Sequence, residues 1–176
     1  FISLLEEHLP NYDVLILSDY GKGLITKEMI TGITALKKRY NLNELKILVD
    51  PKSPNFGIYN DMYIMTPNAK ETGEAAGLPV SSKEEILQAG KAIIARYPCT
   101  HLLSTLGPDG MALFETQETV WHIPTMAKSV YDVTGAGDTV MATLALCLAA
   151  KIPLLESCLL ANSAAGIVVG KVGAAT

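Results

Sequence analysis

Asp13-Val-Leu-Ile-Leu-Ser-Asp19, followed one helix later by Lys46-Ile-Leu-Val-Asp50, sets the architecture. Each stretch is a short apolar run closing on a polar end, the pattern of a parallel strand buried on both faces. Between them Thr26 is placed to cap a helix running to about Tyr40, with Met29, Ile30, Ile33 and Leu36 on one side. Pro51 stops the second strand. Working outward, Phe1 to Leu9 has helical spacing (Ile2, Leu5, Leu9) and Pro10 ends it. Met62 to Thr66 reads as a third strand, followed by Pro67-Asn68 and a short helix closed at Gly77. Ser82 with Glu85 forms a capping box for a helix through Ile86, Ala89, Ile93 and Tyr97. His101 to Thr105 is a fourth strand.

Beyond Thr105 the rhythm changes. Met111 to Glu115 and Thr119 to Ile123 read as antiparallel strands joined at turns, one holding Gly107-Pro-Asp-Gly110 and one Gln117-Glu118. Two apolar helices follow, at about 137–150 and 154–170, parted by Pro153. Strands alternating with helices predict an α/β domain: a mostly parallel sheet flanked by helices, with an antiparallel hairpin at one edge. Ligands of such sheets bind at the carboxyl ends of the strands, where Asp19, Asp50, Asn68, Thr105 and Asp138 are expected to collect.

Composition narrows the class. The chain has 176 residues, 49% hydrophobic and 18% charged, enough for one packed core and too apolar for disorder. Its formal net charge is −4 with scattered lysines, so no basic stripe marks a nucleic-acid surface. The longest apolar run, around Val140 to Ala150, is too short to cross a bilayer and is expected to be a buried helix. Cys99, Cys147 and Cys158 are an odd set in apolar or helical stretches, which fits a reducing compartment better than a disulfide framework. Phe1 to Leu9 carries Glu6, Glu7 and His8 and does not read as a signal peptide. Because it begins at Phe1 and stops at Ala174-Ala-Thr176, we expect the chain to be a piece of a longer protein.

Asp132-Val-Thr-Gly-Ala-Gly-Asp138, leading into an apolar helix, is the strongest chemical signal. Small residues at Gly135, Ala136 and Gly137 let a ligand approach the backbone, and a helix start aims free N–H groups at it, which makes an anion site. Asp138 would then meet a hydroxyl beside a phosphate. The alternative is a glycine turn with Asp138 satisfying the helix dipole. Asn68-Ala-Lys-Glu71 places an amide and a carboxylate three apart, suited to holding hydrated Mg²⁺ through water, or merely a helix start with an exposed acid. Thr105-Leu-Gly-Pro-Asp-Gly110 either wraps a nucleotide or only turns a strand into the hairpin. There is no G-x-x-x-x-G-K-[ST] and no G-x-G-x-x-G. Lys22 and Lys52, just after Asp19 and Asp50, are either phosphate contacts or solvated surface charges. His8, His101 and His122 lack metal-ligand spacing, and Trp121 reads as edge packing.

In order and in kind, these pieces resemble the ribokinase-like (PfkB) family of carbohydrate kinases across essentially the whole chain. Asp132 to Asp138 is similar to its signature D-[TS]-[TA]-G-A-G-D, Asn68 to Glu71 to its N-x-x-E, and Thr105 to Gly110 to its T-x-G-x-x-G. More closely, Ser18-Asp-Tyr-Gly-Lys-Gly23, Val49-Asp-Pro-Lys52, Thr66 to Glu71 and Ala161 to Gly173 resemble the heptose 7-phosphate kinase half of the ADP-heptose synthases. That half phosphorylates D-glycero-β-D-manno-heptose 7-phosphate at O1 with ATP, on the route to the lipopolysaccharide inner core.

The resemblance implies a cytoplasmic enzyme using ATP and Mg²⁺, with Asp138 as catalytic base and Gly135, Ala136 and Gly137 as anion hole. It implies Asn68 and Glu71 at Mg·ATP, Thr105, Gly107, Gly110 and Asn162 at the nucleotide, and Asp132 and Thr134 at a monovalent cation such as K⁺. Val133 departs from the usual Ser/Thr of that signature. It further implies that residues 1–176 are the C-terminal portion of the kinase domain, lacking the N-terminal sugar-binding and lid elements and inactive alone. The complete protein would be a homo-oligomer acting on a small sugar phosphate, with no nucleic-acid or membrane partner. Other readings are a ribokinase or fructose-phosphate kinase, and a catalytically silent nucleotide-binding module.

Overall fold

The structure is a computed structural model that describes residues 1–127 and 131–171. Val172 and Gly173, at the end of the stretch used for the resemblance, and the terminal Ala174-Ala-Thr176 lie outside the described residues.

The elements follow the expected order. α1 (Ile2–His8) runs into a 3-10 turn at Leu9–Asn11 and then β1 (Val14–Ser18). α2 (Lys27–Arg39) starts at Thr26, whose hydroxyl accepts the Met29 N–H, and leads to β2 (Lys46–Asp50). β3 (Met62–Met65), α3 (Ala69–Ala76), α4 (Lys83–Arg96) and β4 (Cys99–Thr105) come next. β5 (Met111–Phe114), β6 (Val120–Ile123), α5 (Ala136–Ala149) and α6 (Leu154–Val169) complete the chain. The short 3-10 turn Ser53–Ile58, which makes the crossover from β2 to β3, is absent from the sequence reading. Its burial of Phe56, and of Tyr59 just beyond, is a tertiary effect that no periodicity announces.

The six strands lie in sequential order β1-β2-β3-β4-β5-β6. β1 to β4 are parallel, and β4-β5-β6 are antiparallel, as the hairpin signal requires. Adding strands in one direction with right-handed crossovers puts the connecting helices on one face. Side-chain alternation then divides the core. Ile47 and Val49 face Ile30, Ile33, Phe56 and Ile93 on the first side, while Leu48, Ile64 and Leu103 face Val140, Leu144, Leu148 and Cys158 of α5 and α6 on the other. The apolar run at Val140–Ala150 is thus the buried helix that was expected; among the described residues no helix is long and apolar enough to cross a membrane. All three cysteines are free thiols, with Cys147 and Cys158 buried.

The register at the carboxyl edge aligns the polar residues. Ser18 pairs with Asp50, the Asp19 N–H donates to the Asp50 carbonyl at 3.0 Å, and the Thr105 N–H donates to the Pro67 carbonyl at 2.9 Å. Asn68 and Thr105 form a parallel bridge. Asp19, Asp50, Asn68 and Thr105 therefore share one edge.

Candidate active site

Two concavities open at this edge and share a wall. The larger, about 470 Å³, lies between the Thr105–Gly110 turn and the starts and ends of α5 and α6, and its lining includes Gly107, Gly110, Ala136, Gly137 and Asn162. The rest of that lining is largely apolar, with Met111, Ala127, Val133, Val140, Ala165 and Val169. Such a slot suits a flat, weakly polar ring, with a few polar groups to orient it. The smaller niche, about 170 Å³, is lined by Asp50, Lys52, Thr66, Asn68, Glu71, Thr105, Gly137 and Val140. Thr105, Gly137 and Val140 belong to both.

The wall is the start of α5. Gly135 sits at its N-cap with φ +80°, a left-handed conformation that glycine adopts without strain. No side chain caps this end. The Ala136 N–H already donates to the Val133 carbonyl at 3.2 Å, so the open amides of the first turn are those of Gly137 and Asp138. Asp138 is exposed in that same turn, close enough to Asp50 for the two carboxylates to repel.

Asn68 and Glu71 meet in a reciprocal capping box: Asn68 Oδ1 accepts the Glu71 N–H at 2.9 Å, and Glu71 Oε2 accepts the Asn68 N–H at 3.1 Å. The expectation of an exposed acid is corrected. Glu71 is only 7% exposed, and its Oε1 accepts from Lys52 Nζ at 2.5 Å. That bond, first, and the surrounding carboxylates raise the Lys52 pKa, so it stays a cation. Asn162 is buried in α6, and its Nδ2 donates to the Pro124 carbonyl at 2.7 Å, which ties the strand leaving β6 to the cavity wall.

Other sequence candidates stand apart. Lys22 is exposed in the turn after β1, outside both concavities. Asp132 Oδ1 accepts the Thr134 N–H at 2.8 Å, and this bond lowers its pKa. Both residues border the cradle without lining it. Trp121 is on the edge strand β6, where its Nε1 donates to Glu115 at 3.0 Å.

A family model described as pfkB family carbohydrate kinase matches residues 7–176. The chain belongs to this family. Among curated pfkB relatives, the bifunctional protein HldE of Rhodospirillum rubrum is 46% identical over 171 residues, covering 97% of this chain and 34% of that protein. HldE of Trichlorobacter lovleyi is 42% identical over 175 residues, covering 99% of the chain and 35% of the relative. The chain thus spans about a third of the length of these relatives. Arabidopsis thaliana ribokinase, solved with ribose and ATP, superposes with a TM-score of 0.78 at 24% identity, over 98% of this chain and 53% of that one. Escherichia coli phosphofructokinase-2 follows at a TM-score of 0.75 and 19% identity, over 95% and 55%. These two likenesses show the ribokinase-like fold.

Sequence reasoning placed Asp50 at a strand end, among the polar residues expected at the ligand edge, and gave it no role of its own. The structure puts it inside the niche of this pfkB chain. Burial, with the charges of Glu71, Asp138 and Asp19 added and Lys52 opposing, pushes its pKa up to about 6. An acid whose pKa rises on folding leaves the fold most stable below its unfolded value, near 4, and stability declines as pH rises through about 6. Asp50→Asn is therefore expected to raise stability by about 1 kcal/mol at pH 8, counting partial solvent exposure, and to change little at pH 4. Urea unfolding at the two pH values checks this; an equal effect at both removes Asp50 ionisation as the cause.

Proposed function

We propose that this chain is the nucleotide-binding and phosphoryl-transfer portion of a sugar kinase, with D-glycero-β-D-manno-heptose 7-phosphate as acceptor at O1 and ATP as donor. Residues 1–176 are, in this reading, the C-terminal part of the kinase domain. The observation that carries it is the shared wall: the Gly137 cradle stands between a largely apolar slot and an acid-and-lysine niche. A nucleobase in the larger, apolar concavity and a phosphate chain ending at the wall would bring the transferred group to Gly137 and Asp138. Family membership and HldE relatives at 46% and 42% identity support the class, and the Ser18–Gly23 and Val49–Lys52 stretches support the heptose choice.

Phosphoryl transfer needs positioning and charge stabilisation rather than covalent help from the protein. The amides of Gly137 and Asp138 would meet the equatorial oxygens of the phosphoryl group, strengthened by the positive end of α5. Asp138, exposed in the same turn, takes the proton from the sugar hydroxyl as it attacks. Lys52 lies at the niche to face phosphate charge, while Lys22 remains a candidate for the acceptor's own phosphate. Thr105, Gly107, Gly110 and Asn162 bound the nucleotide.

The niche also fits a hydrated Mg²⁺. Asn68, Glu71 and Asp50 would hold it through its water shell, much of which Mg²⁺ keeps. When bound, that ion supplies neutralisation of phosphate charge. Asp132 and Thr134, beside the cradle, are the position for a monovalent cation such as K⁺.

This chain alone should bind Mg·ADP by calorimetry yet turn over no sugar phosphate, because orientation of the acceptor supplies about 7–11 kcal/mol of the barrier reduction. No heat at millimolar nucleotide on a folded sample counts against the nucleotide slot. For the complete protein, turnover of heptose 7-phosphate is measured beside ribose and fructose 6-phosphate. Preference for either of the latter overturns the heptose choice, and phosphorylation of none favours a silent nucleotide-binding module.

A further inference from the structure

Asp19 is 2% exposed, yet it is a carboxylate at the end of an edge strand with three donors aimed at it. Tyr59 Oη and Asn55 Nδ2 donate to Oδ2, each at 2.6 Å, and the Gly21 N–H donates to Oδ1 at 2.7 Å. Burial works against the charge, but these bonds, with Lys52 nearby, outweigh it and hold the Asp19 pKa below the usual carboxylate value. Burial and the bond to Asp19 keep Tyr59 protonated. A buried acid so fully satisfied contributes nothing to an apolar core, and it lines neither concavity.

What it does is fasten the loop that carries Lys52. The Tyr59 hydroxyl, while donating to Asp19, accepts the Lys52 backbone N–H at 3.3 Å. Asn55 lies within the 3-10 turn after Lys52 and Tyr59 at its exit, so Asp19 grips that turn at two points. Gly21, held by the same carboxylate, leaves room beside the lysine stem: a Cβ there would be 3.7 Å from Lys52 Cγ. A lysine carries four flexible methylenes and is a poor fixed charge unless its backbone and its ammonium are both held. Here the backbone, through Tyr59, and the ammonium, through Glu71, are held by different elements.

We propose that Asp19 and Tyr59 are positioning residues that hold Lys52 at the niche where the phosphate is transferred. The proposal rests on the phosphoryl-transfer reading above. It concerns groups that touch neither nucleotide nor sugar and act only through Lys52.

The test is a double-mutant cycle in the complete kinase, with Asp138→Asn as a separate control. Tyr59→Phe, which removes one oxygen, is expected to lower kcat roughly tenfold while the Kd of Mg·ADP stays within about twofold. In a Lys52→Ala background the same change should alter kcat by less than about twofold. An equal loss in both backgrounds shows a merely structural role and overturns the proposal, as does a Tyr59→Phe enzyme with full kcat. Asn55→Ala, which removes one donor from the same carboxylate, should give a smaller loss with the same dependence on Lys52. It serves as the second arm if Tyr59→Phe does not fold, and a Lys52-independent loss there overturns the proposal equally. Full activity of Asp138→Asn instead discards the catalytic reading itself. Impaired Asp138→Asn and Lys52→Ala enzymes beside a normal Tyr59→Phe enzyme discard only the positioning role.

Discussion

Asp138→Asn in the complete kinase is expected to lower kcat by about 10²–10⁴ while nucleotide affinity changes little. The amide is nearly isosteric with the carboxylate, so the start of α5 and the Gly137 cradle keep their shape. It cannot accept the proton of the attacking hydroxyl. Losing a negative charge beside the terminal phosphate should, if anything, tighten ATP binding slightly. The competing account makes Asp138 an acid that only complements the positive end of α5. That account expects a slightly lower melting temperature and unchanged turnover. Melting temperature, ATP affinity and kcat measured on the same variant separate the two. A variant that melts earlier and turns over normally removes Asp138 from the mechanism.

Gly110→Ala is expected to be the most destabilising of the site substitutions, by about 3–5 kcal/mol. Gly110 has φ +86° and ψ −123°, a region that side chains other than hydrogen rarely enter. Its Cβ would fall 2.1 Å from the Ile123 carbonyl oxygen and 2.6 Å from the Thr125 nitrogen, both backbone atoms. Relief requires the chain leaving β6 to move away from the turn. That segment includes Thr125, which lines the larger cavity, and Pro124, whose carbonyl accepts from Asn162. Nucleotide affinity should therefore fall along with stability. Gly137→Ala is the control: it has no left-handed φ, and its Cβ would meet nothing within 4 Å. That variant should stay within about 1 kcal/mol of the parent, since a helical alanine is intrinsically preferred to glycine. Urea unfolding of both variants tests the contrast, and a Gly110→Ala protein as stable as Gly137→Ala refutes the close-approach account.

The parts of the site differ in how legible they were. The Thr105–Gly110 turn and the Gly135–Asp138 helix start are local motifs, and the fold sets both against one cavity. Asn68 and Glu71 were read as partners of a metal, but their spacing also specifies a capping box, and the structure shows that box formed. The burial of Glu71 was not legible, because it depends on Lys52, nineteen residues earlier. Asp19 and Tyr59 are forty residues apart and follow no periodic pattern. Their meeting requires β1 and β2 to be paired and the crossover to fold back over their ends.

The amino-acid sequence by itself determined the α-helices and strands and their order, because hydrophobic periodicity, capping residues and prolines act within a few residues along the chain. It also determined that the sheet is parallel up to Thr105 and antiparallel after it, since a hairpin needs only a short turn whereas a parallel pair needs a crossover. Only the tertiary structure decided that Gly137 stands between two concavities, that Ala136 has spent its amide on Val133, and that Asp50 is half-buried among other acids. Those facts depend on the register at the carboxyl edge and on how α5 crosses the sheet. Both are set by long-range packing of side chains whose identities, read one by one, say only that they are apolar.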